Sequence, residues 1–294
     1  MIVRVTEVDG VRTRYLTEGS GYPLVLVHGA GLSGDAWLRN IDALGRHFFV
    51  VAPDTLGHGF TESGEYQAGA PHPHIVDHLV SLIDSLGIDR FTIAGSSFGA
   101  LIAALMYFKA PARVERLIIV GSGSTFNTEE DSRQRLPEAY KNGLAAYLNP
   151  SLETCRRRMA NIFYDPTKVP EELLLVQMTS YAMPGALEAY ERRMQGMMDL
   201  EASRPYRVLD RVEEIRVPTL VLWGRQDRRG IYERALEAVK RLPNARLVAF
   251  DRCGHYPHME YPAEFNELVR QFLKAEPLRL EGDHLELVVG APSA

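Results

Sequence analysis

Ala94-Gly95-Ser96-Ser97-Phe98-Gly99 is the stretch that decides how this chain is interpreted. It follows an apolar run that predicts a buried strand and precedes a run with helical spacing. The pattern is therefore G-x-S-x-G at a strand–turn–helix junction, where the glycines allow a sharp turn and the serine lies at its strained tip. This context predicts Ser97 as a nucleophile. The alternative is a glycine-rich helix start that Ser96 or Ser97 merely caps.

A serine nucleophile needs a histidine to take its proton and a carboxylate to orient that histidine. Further along the chain, Asp227 follows one strand-like run and His255 follows another. Both are predicted in loops beyond the carboxyl ends of strands, where open parallel sheets place their sites. The alternatives are a helix N-cap for Asp227 and a surface-loop histidine for His255. The rivals for the two roles are Asp251 and His258.

The loop His28-Gly29-Ala30-Gly31 follows a buried-strand pattern and is predicted to complete the site. Such a loop presents a backbone N–H to a tetrahedral oxyanion, opposite the N–H of the residue after the nucleophile. We assign the two donors to Ala30 and Phe98, with Gly31 as the alternative to Ala30. His28, Gly29 and Gly31 are expected to contact substrate, and His28 is expected to brace the loop rather than transfer protons.

These features together resemble the α/β-hydrolase superfamily over about residues 1–275. The segment Asp54-Thr55-Leu56-Gly57-His58-Gly59 also resembles the D-x-x-G-x-G loop of that superfamily. The resemblance implies an α/β fold with a mostly parallel central sheet, flanking helices and an inserted helical cap. It also implies hydrolysis through an acyl-enzyme.

The chain divides into three predicted parts: a core at 1–124 and 211–275, a helical cap at 125–210, and a tail at 276–294. The tail either adds an edge strand or is disordered. Met178 and Tyr256 are expected to bind substrate. The cap methionines line an acyl pocket or pack within the cap, and these are Met178, Met183, Met194 and Met197.

Composition limits the classes of function. The chain has 294 residues and a net charge of -5, which gives no reason to expect a nucleic-acid partner. Two cysteines form neither a disulfide framework nor a metal-ligand pattern, and the histidines near His72 lack a completing carboxylate. No signal peptide or membrane-spanning run is evident. We therefore expect a cytoplasmic protein without metal, cofactor or membrane partner; a homodimer is compatible with this interpretation.

Within the superfamily, the cap sequence from Tyr164 to Leu173 resembles that of bacterial meta-cleavage-product hydrolases, which cut a carbon–carbon bond in dienoates. Those enzymes carry a cap arginine near the position of Met178 and a tryptophan at the position of Tyr256. We therefore expect a carboxylic ester hydrolase acting on a small ester, aryl ester or lactone. Carbon–carbon hydrolysis is the alternative if an arginine of the 156–158 group binds the carboxylate. A third class is a non-catalytic ligand-binding member of the fold.

Overall fold

The computed structural model describes residues 1–289, and its centre is a mixed β-sheet. The strands are β1 (Ile2–Val8), β2 (Val11–Glu18), β3 (Pro23–Val27), β4 (Phe49–Pro53), β5 (Phe91–Ser96), β6 (Val114–Val120), β7 (Thr219–Gly224), β8 (Ala245–Phe250) and β9 (Leu285–Val289). Over these residues the order is β1-β2-β4-β3-β5-β6-β7-β8-β9. The six strands from β4 to β8 in this spatial order, β3 included, are parallel, and antiparallel pairs lie at both edges of the sheet.

Helices cover the sheet and the edge above it. They are α1 (Leu38–Gly45), α2 (His72–Ser85), α3 (Phe98–Lys109), α4 (Gly123–Phe126), α5 (Glu129–Leu148), α6 (Leu152–Ala160), α7 (Glu171–Tyr181), α8 (Ala186–Met198), α9 (Leu200–Ser203), α10 (Tyr232–Arg241), α11 (Pro257–Glu260) and α12 (Pro262–Leu273). One group packs together as α1, α11 and α12, and another as α2, α3, α4 and α10.

The central strands are apolar along their whole length because both faces of the sheet are covered. Every residue of β5 and of β7 is buried, as is typical of parallel strands between two helical layers. The predicted α/β class with a mostly parallel sheet is confirmed.

The helices α5 to α9 lie between β6 and β7 in the sequence and pack on one another. Tyr147 is the centre of their aromatic packing, because its ring stacks on Tyr181 at 3.9 Å and on Tyr190 at 4.3 Å. The exact division of the chain at 125 and 210 stays a prediction. In the tail, β9 pairs with β8 as an antiparallel edge strand, and residues 290–294 lie outside the described residues.

Across residues 1–289, no helix is both long enough and apolar enough to cross a membrane.

Buried neutral histidines make the stability of this fold sensitive to acid. Burial lowers the pKa of His28 and of His72 to about 4, and that of His258 to about 3. Below pH 6.5 these histidines bind protons in the unfolded chain but stay neutral in the folded chain. The free energy of unfolding therefore falls as the pH falls. Each such histidine accounts for about 2 kcal/mol of loss between the normal pKa and about pH 5.

We expect His258→Phe to remove one histidine's share of this loss. Urea denaturation at about pH 7 and about pH 5 measures it. The exposed His47, replaced by Gln, is the control and should leave the pH dependence unchanged. The same loss in His258→Phe as in the parent would contradict the prediction.

Candidate active site

Ser97 stands at the turn between β5 and α3 with φ 55° and ψ -124°, a conformation that few non-glycine residues adopt. The turn is tight, since a Cβ added to Gly95 would lie 2.1 Å from the carbonyl oxygen of Gly99. Two hydrogen bonds hold it: the Ser97 N–H donates to Val120 O at 2.9 Å, and Ser122 Oγ donates to Ser97 O at 2.6 Å. The Ser97 side chain consequently faces a cavity beneath the cap helices.

His255 and Asp227 form a buried pair at the carboxyl ends of β8 and β7. His255 Nδ1 donates to Asp227 Oδ2 at 2.8 Å, because a carboxylate can only accept. Asp227 Oδ1 in turn accepts from the backbone N–H groups of Arg229 at 2.7 Å and Gly230 at 3.0 Å. With Nδ1 protonated, Nε2 of the neutral ring is free to accept a proton.

Ser97 and His255 line the same cavity, and Asp227 lies behind the histidine. The Ser97 hydroxyl has no hydrogen-bond partner among the described residues. Contacts between nucleophile and base are often long without substrate and shorten in the complex. The geometry therefore suits a serine–histidine–aspartate triad, and the roles of the three residues remain predictions.

The two rivals are occupied elsewhere. Asp251 accepts a hydrogen bond from Gln226 Nε2 at 2.8 Å, in the turn before the histidine. His258 is fully buried and packs on Trp37 with ring centroids 4.3 Å apart. Neither is joined to the Asp227–His255 pair by a hydrogen bond in the described structure.

Ala30 and Phe98 both line the cavity next to Ser97. Neither of their backbone N–H groups has an acceptor within residues 1–289, so both can donate to an oxyanion. The loop packs closely on the nucleophile, because a Cβ on Gly29 would lie 3.1 Å from Ser97 Cβ. Gly31, the alternative donor, is not part of the lining.

His28 braces this loop from below. Its Nε2 accepts from the Thr55 N–H at 3.0 Å, so the proton lies on Nδ1, which donates to Gly29 O at 2.8 Å. Burial keeps the ring neutral by lowering its pKa to about 4. His28, Gly29 and Gly31 are not part of the cavity lining, and their contacts with substrate stay predictions.

The expected cap contacts are present only in part. Tyr256, Met194 and Met197 line the cavity. Met178 does not, because it packs half-buried against the core on α7, and Met183 is 40% exposed beyond the end of that helix. Met178 therefore lies outside the cavity lining, and its contact with substrate stays a prediction.

Arg158 is a cavity residue that the sequence analysis named only for the alternative function, as one of the 156–158 arginines that could bind a carboxylate. Its guanidinium is buried, with 6% of the residue exposed, and lines the cavity. It donates to Ala30 O at 3.0 Å and Gly31 O at 3.1 Å, and it also hydrogen-bonds the Tyr181 hydroxyl, which donates to Gly31 O. Its Nε has no partner, and no carboxylate of the described chain lies within ion-pair distance.

The two preceding arginines differ from Arg158. Arg156 pairs with Glu171 at 2.7 Å and Arg157 pairs with Glu153 at 2.5 Å, both on the exposed face of α6. Helical spacing provides the signal, since Arg158 lies on the buried face together with Cys155 and Met159.

Comparisons with known proteins identify the family to which this chain belongs. A family model described as the alpha/beta hydrolase family matches residues 24–268. A 2-hydroxy-6-oxo-2,4-heptadienoate hydrolase of Pseudomonas putida is 32% identical over 291 residues, covering 94% of this chain and 97% of that protein. A 2-hydroxy-6-oxononadienedioate/2-hydroxy-6-oxononatrienedioate hydrolase of Burkholderia vietnamiensis is 32% identical over 286 residues, covering 92% and 94%.

Solved structures show the same likeness. A meta-cleavage product hydrolase from Pseudomonas fluorescens IP01 superposes with a TM-score of 0.74 at 28% identity, covering 92% of this chain and 97% of that one. A 2-hydroxy-6-oxo-6-phenylhexa-2,4-dienoate hydrolase from Rhodococcus sp. strain RHA1 gives 0.78 at 26% identity, covering 93% and 100%.

These findings correct the main functional expectation. The two relatives that are 32% identical over nearly the whole chain are dienoate hydrolases. The prediction of a carboxylic ester hydrolase is therefore wrong, and the carbon–carbon alternative is favoured. The error has a physical cause. Met178 stands where the resemblance implies an arginine, and the sequence does not show that Arg158 is buried beside the oxyanion loop.

Proposed function

The chain belongs to the alpha/beta hydrolase family, and we propose that it hydrolyses a carbon–carbon bond in a 2-hydroxy-6-oxo-2,4-dienoate. The similarity to dienoate hydrolases supports the substrate class. The observation that carries the proposal is the buried guanidinium of Arg158, which lines the cavity of Ser97 without a carboxylate partner.

A buried charge without a counterion is unfavourable by several kcal/mol, about what a well-placed carboxylate recovers. Arg158 therefore favours an anionic substrate over a neutral one. The carboxylate of a dienoate supplies this anion, whereas a simple ester supplies none. The guanidinium lies against the oxyanion loop through Ala30 O, so it would bind the carboxylate on that side of Ser97.

The chemistry follows from the substrate. The dienol first ketonises: its hydroxyl proton leaves and carbon 5 gains one. Ser97 Oγ then attacks the carbonyl at carbon 6 while His255 takes its proton, and the N–H groups of Ala30 and Phe98 hold the oxyanion. The bond between carbons 5 and 6 breaks, and its electron pair passes along the chain to the oxygen on carbon 2.

The second half of the reaction consumes water. The departing dienolate takes the proton that His255 received from Ser97. His255 then removes a proton from the water that attacks the acyl-Ser97 ester and passes it to Ser97 Oγ as the ester breaks. The products are a 2-hydroxypenta-2,4-dienoate and a carboxylic acid, so one water is added in total. Asp227 keeps His255 in the tautomer that both steps need.

Product analysis tests the proposal. The folded enzyme is incubated with 2-hydroxy-6-oxohepta-2,4-dienoate, and the products are identified by mass spectrometry, with Ser97→Ala as the control. Acetate and 2-hydroxypenta-2,4-dienoate in equal amounts are expected from the parent alone. Failure of the folded parent to cleave this or any other 2-hydroxy-6-oxo-2,4-dienoate would overturn the proposal.

Arg158→Met is expected to lower kcat/KM for this dienoate by about 100-fold, mostly through KM, because the substrate carboxylate loses its charged donor. Steady-state kinetics measure the change, and the exposed Arg157→Met should leave it unaltered. If Arg158 merely supported the loop, kcat would fall and KM would not rise.

The cytoplasmic location, the homodimer and the lack of a cofactor stay predictions from the sequence.

A further inference from the structure

Arg229 is a second arginine of the cavity whose guanidinium has no carboxylate partner within the described residues. It lies in the loop after β7, half-buried, and lines the cavity together with Ser97 and Tyr256. Its backbone N–H serves Asp227, but no hydrogen bond or ion pair of its guanidinium is found in residues 1–289. Burial lowers the pKa of Arg229, and the charge of Glu138, which also lines the cavity, opposes this shift without forming an ion pair with Arg229 in the described residues.

Of the three other arginines that line the cavity, Arg228 is exposed to solvent and the other two are engaged. Arg135 donates to the carbonyl oxygen of Arg228 at 3.2 Å. Arg207 pairs with Glu129 at 3.2 Å and with Asp210 at 3.3 Å. Arg229 thus resembles Arg158: both place a positive charge at the cavity without a bound carboxylate.

The two charges come from opposite sides of the nucleophile. Arg158 belongs to α6 and donates to the loop after β3, whereas Arg229 lies in the loop after β7. Ser97 follows β5, which lies between these strands in the sheet. Tyr256 lines the cavity together with both arginines, and burial raises the pKa of its hydroxyl to about 12.

Polar groups accompany Arg229 at its side of the cavity. A Cβ added to Gly123 would lie 3.0 Å from Arg229 O and 3.0 Å from Asn127 Nδ2, so the three residues are in contact. Ser124 and Asn127 line the cavity, and Asn127 Oδ1 is buried without a partner. The Ser124 hydroxyl and the Asn127 Nδ2 group are donors suited to a carboxylate, whereas Asn127 Oδ1 can only accept.

We propose that the substrate is a dianion, whose second carboxylate ends the acyl group at carbon 6 and is bound by Arg229. This inference rests on the proposed function, in which Arg158 binds the first carboxylate. The two guanidinium groups on either side of Ser97 then hold the two ends of one chain, with the reacting carbonyl between them. An uncharged acyl group would leave Arg229 half-buried and unpaired.

The test compares two dienoates that differ only at the end of a three-carbon acyl tail, where one has a methyl group and the other a carboxylate. We expect the diacid to have the higher kcat/KM by at least about tenfold. In Arg229→Met the ratio of kcat/KM for diacid to monoacid should fall toward unity, and Arg229→Lys should restore part of it. Arg225→Met is the matched control, since Arg225 lies in the same loop but pairs with Glu286 outside the cavity.

The outcomes separate the two proposals. A monoacid cleaved at least as well as the diacid, with a ratio that Arg229→Met does not change, overturns the second anion site while the carbon–carbon hydrolase stands. Cleavage of neither acid by the folded enzyme overturns the hydrolase itself, and the dianion with it.

Discussion

Ser97→Ala is expected to lower kcat for the dienoate by at least about 10,000-fold, because the proposed acyl intermediate forms on the Ser97 hydroxyl. The fold should persist, since the turn depends on the backbone bonds of Ser97 to Val120 and Ser122 rather than on its hydroxyl. Stopped-flow and steady-state absorbance of the dienoate measure turnover and binding. The variant should still bind the dienoate, with a Kd within about tenfold of the parent KM.

Ser96→Ala is the matched control for this prediction. Its hydroxyl is fully buried in β5, has no hydrogen-bond partner and is not part of the cavity lining. Removing an unpaired buried hydroxyl should leave activity near that of the parent and stability unchanged or raised. Substantial turnover by Ser97→Ala would show that Ser97 only caps α3.

Asp227→Asn is expected to lower kcat by about 10,000-fold with little change in fold. An amide in this place can donate to His255 Nδ1, which moves the ring proton to Nε2 and blocks the transfer from Ser97. The backbone donors of Arg229 and Gly230 still find an oxygen acceptor at this position, so the loop should stay in place.

Kinetics and thermal unfolding of Asp227→Asn and Asp251→Asn test the assignment together. Asp251 accepts from Gln226 and is not bonded to the histidine, so its variant should keep most of the activity. An Asp227→Asn enzyme with near-parental kcat would remove Asp227 from the triad.

The central part of the site could be predicted from the sequence because its chemistry is local. The glycines around Ser97 enforce a turn within six residues, and Asp227 and His255 each follow a buried strand directly. Parallel strands then bring these loops to one edge of the sheet, so chain order and strand pattern suffice. The α/β sheet was predictable for the same reason.

The substrate-binding side chains could not be predicted in this way, because cap helices reach the site through tertiary packing. Met178 has the spacing of a cap residue but turns toward the core, while Tyr181 on the same helix contacts Gly31. Arg158 looks like one member of a charged run until its burial is known. Arg229 follows the predicted acid closely, yet its lack of a partner is visible only in three dimensions.

The most direct test of the central claim is the ratio of kcat/KM for 2-hydroxy-6-oxohepta-2,4-dienoate to that for p-nitrophenyl acetate, measured with one enzyme preparation. Carbon–carbon hydrolysis assisted by Arg158 predicts a ratio of at least about 100, because only the dienoate offers a carboxylate to the buried guanidinium. In Arg158→Met the ratio should fall toward unity. A parent enzyme that prefers the acetate ester would contradict the claim.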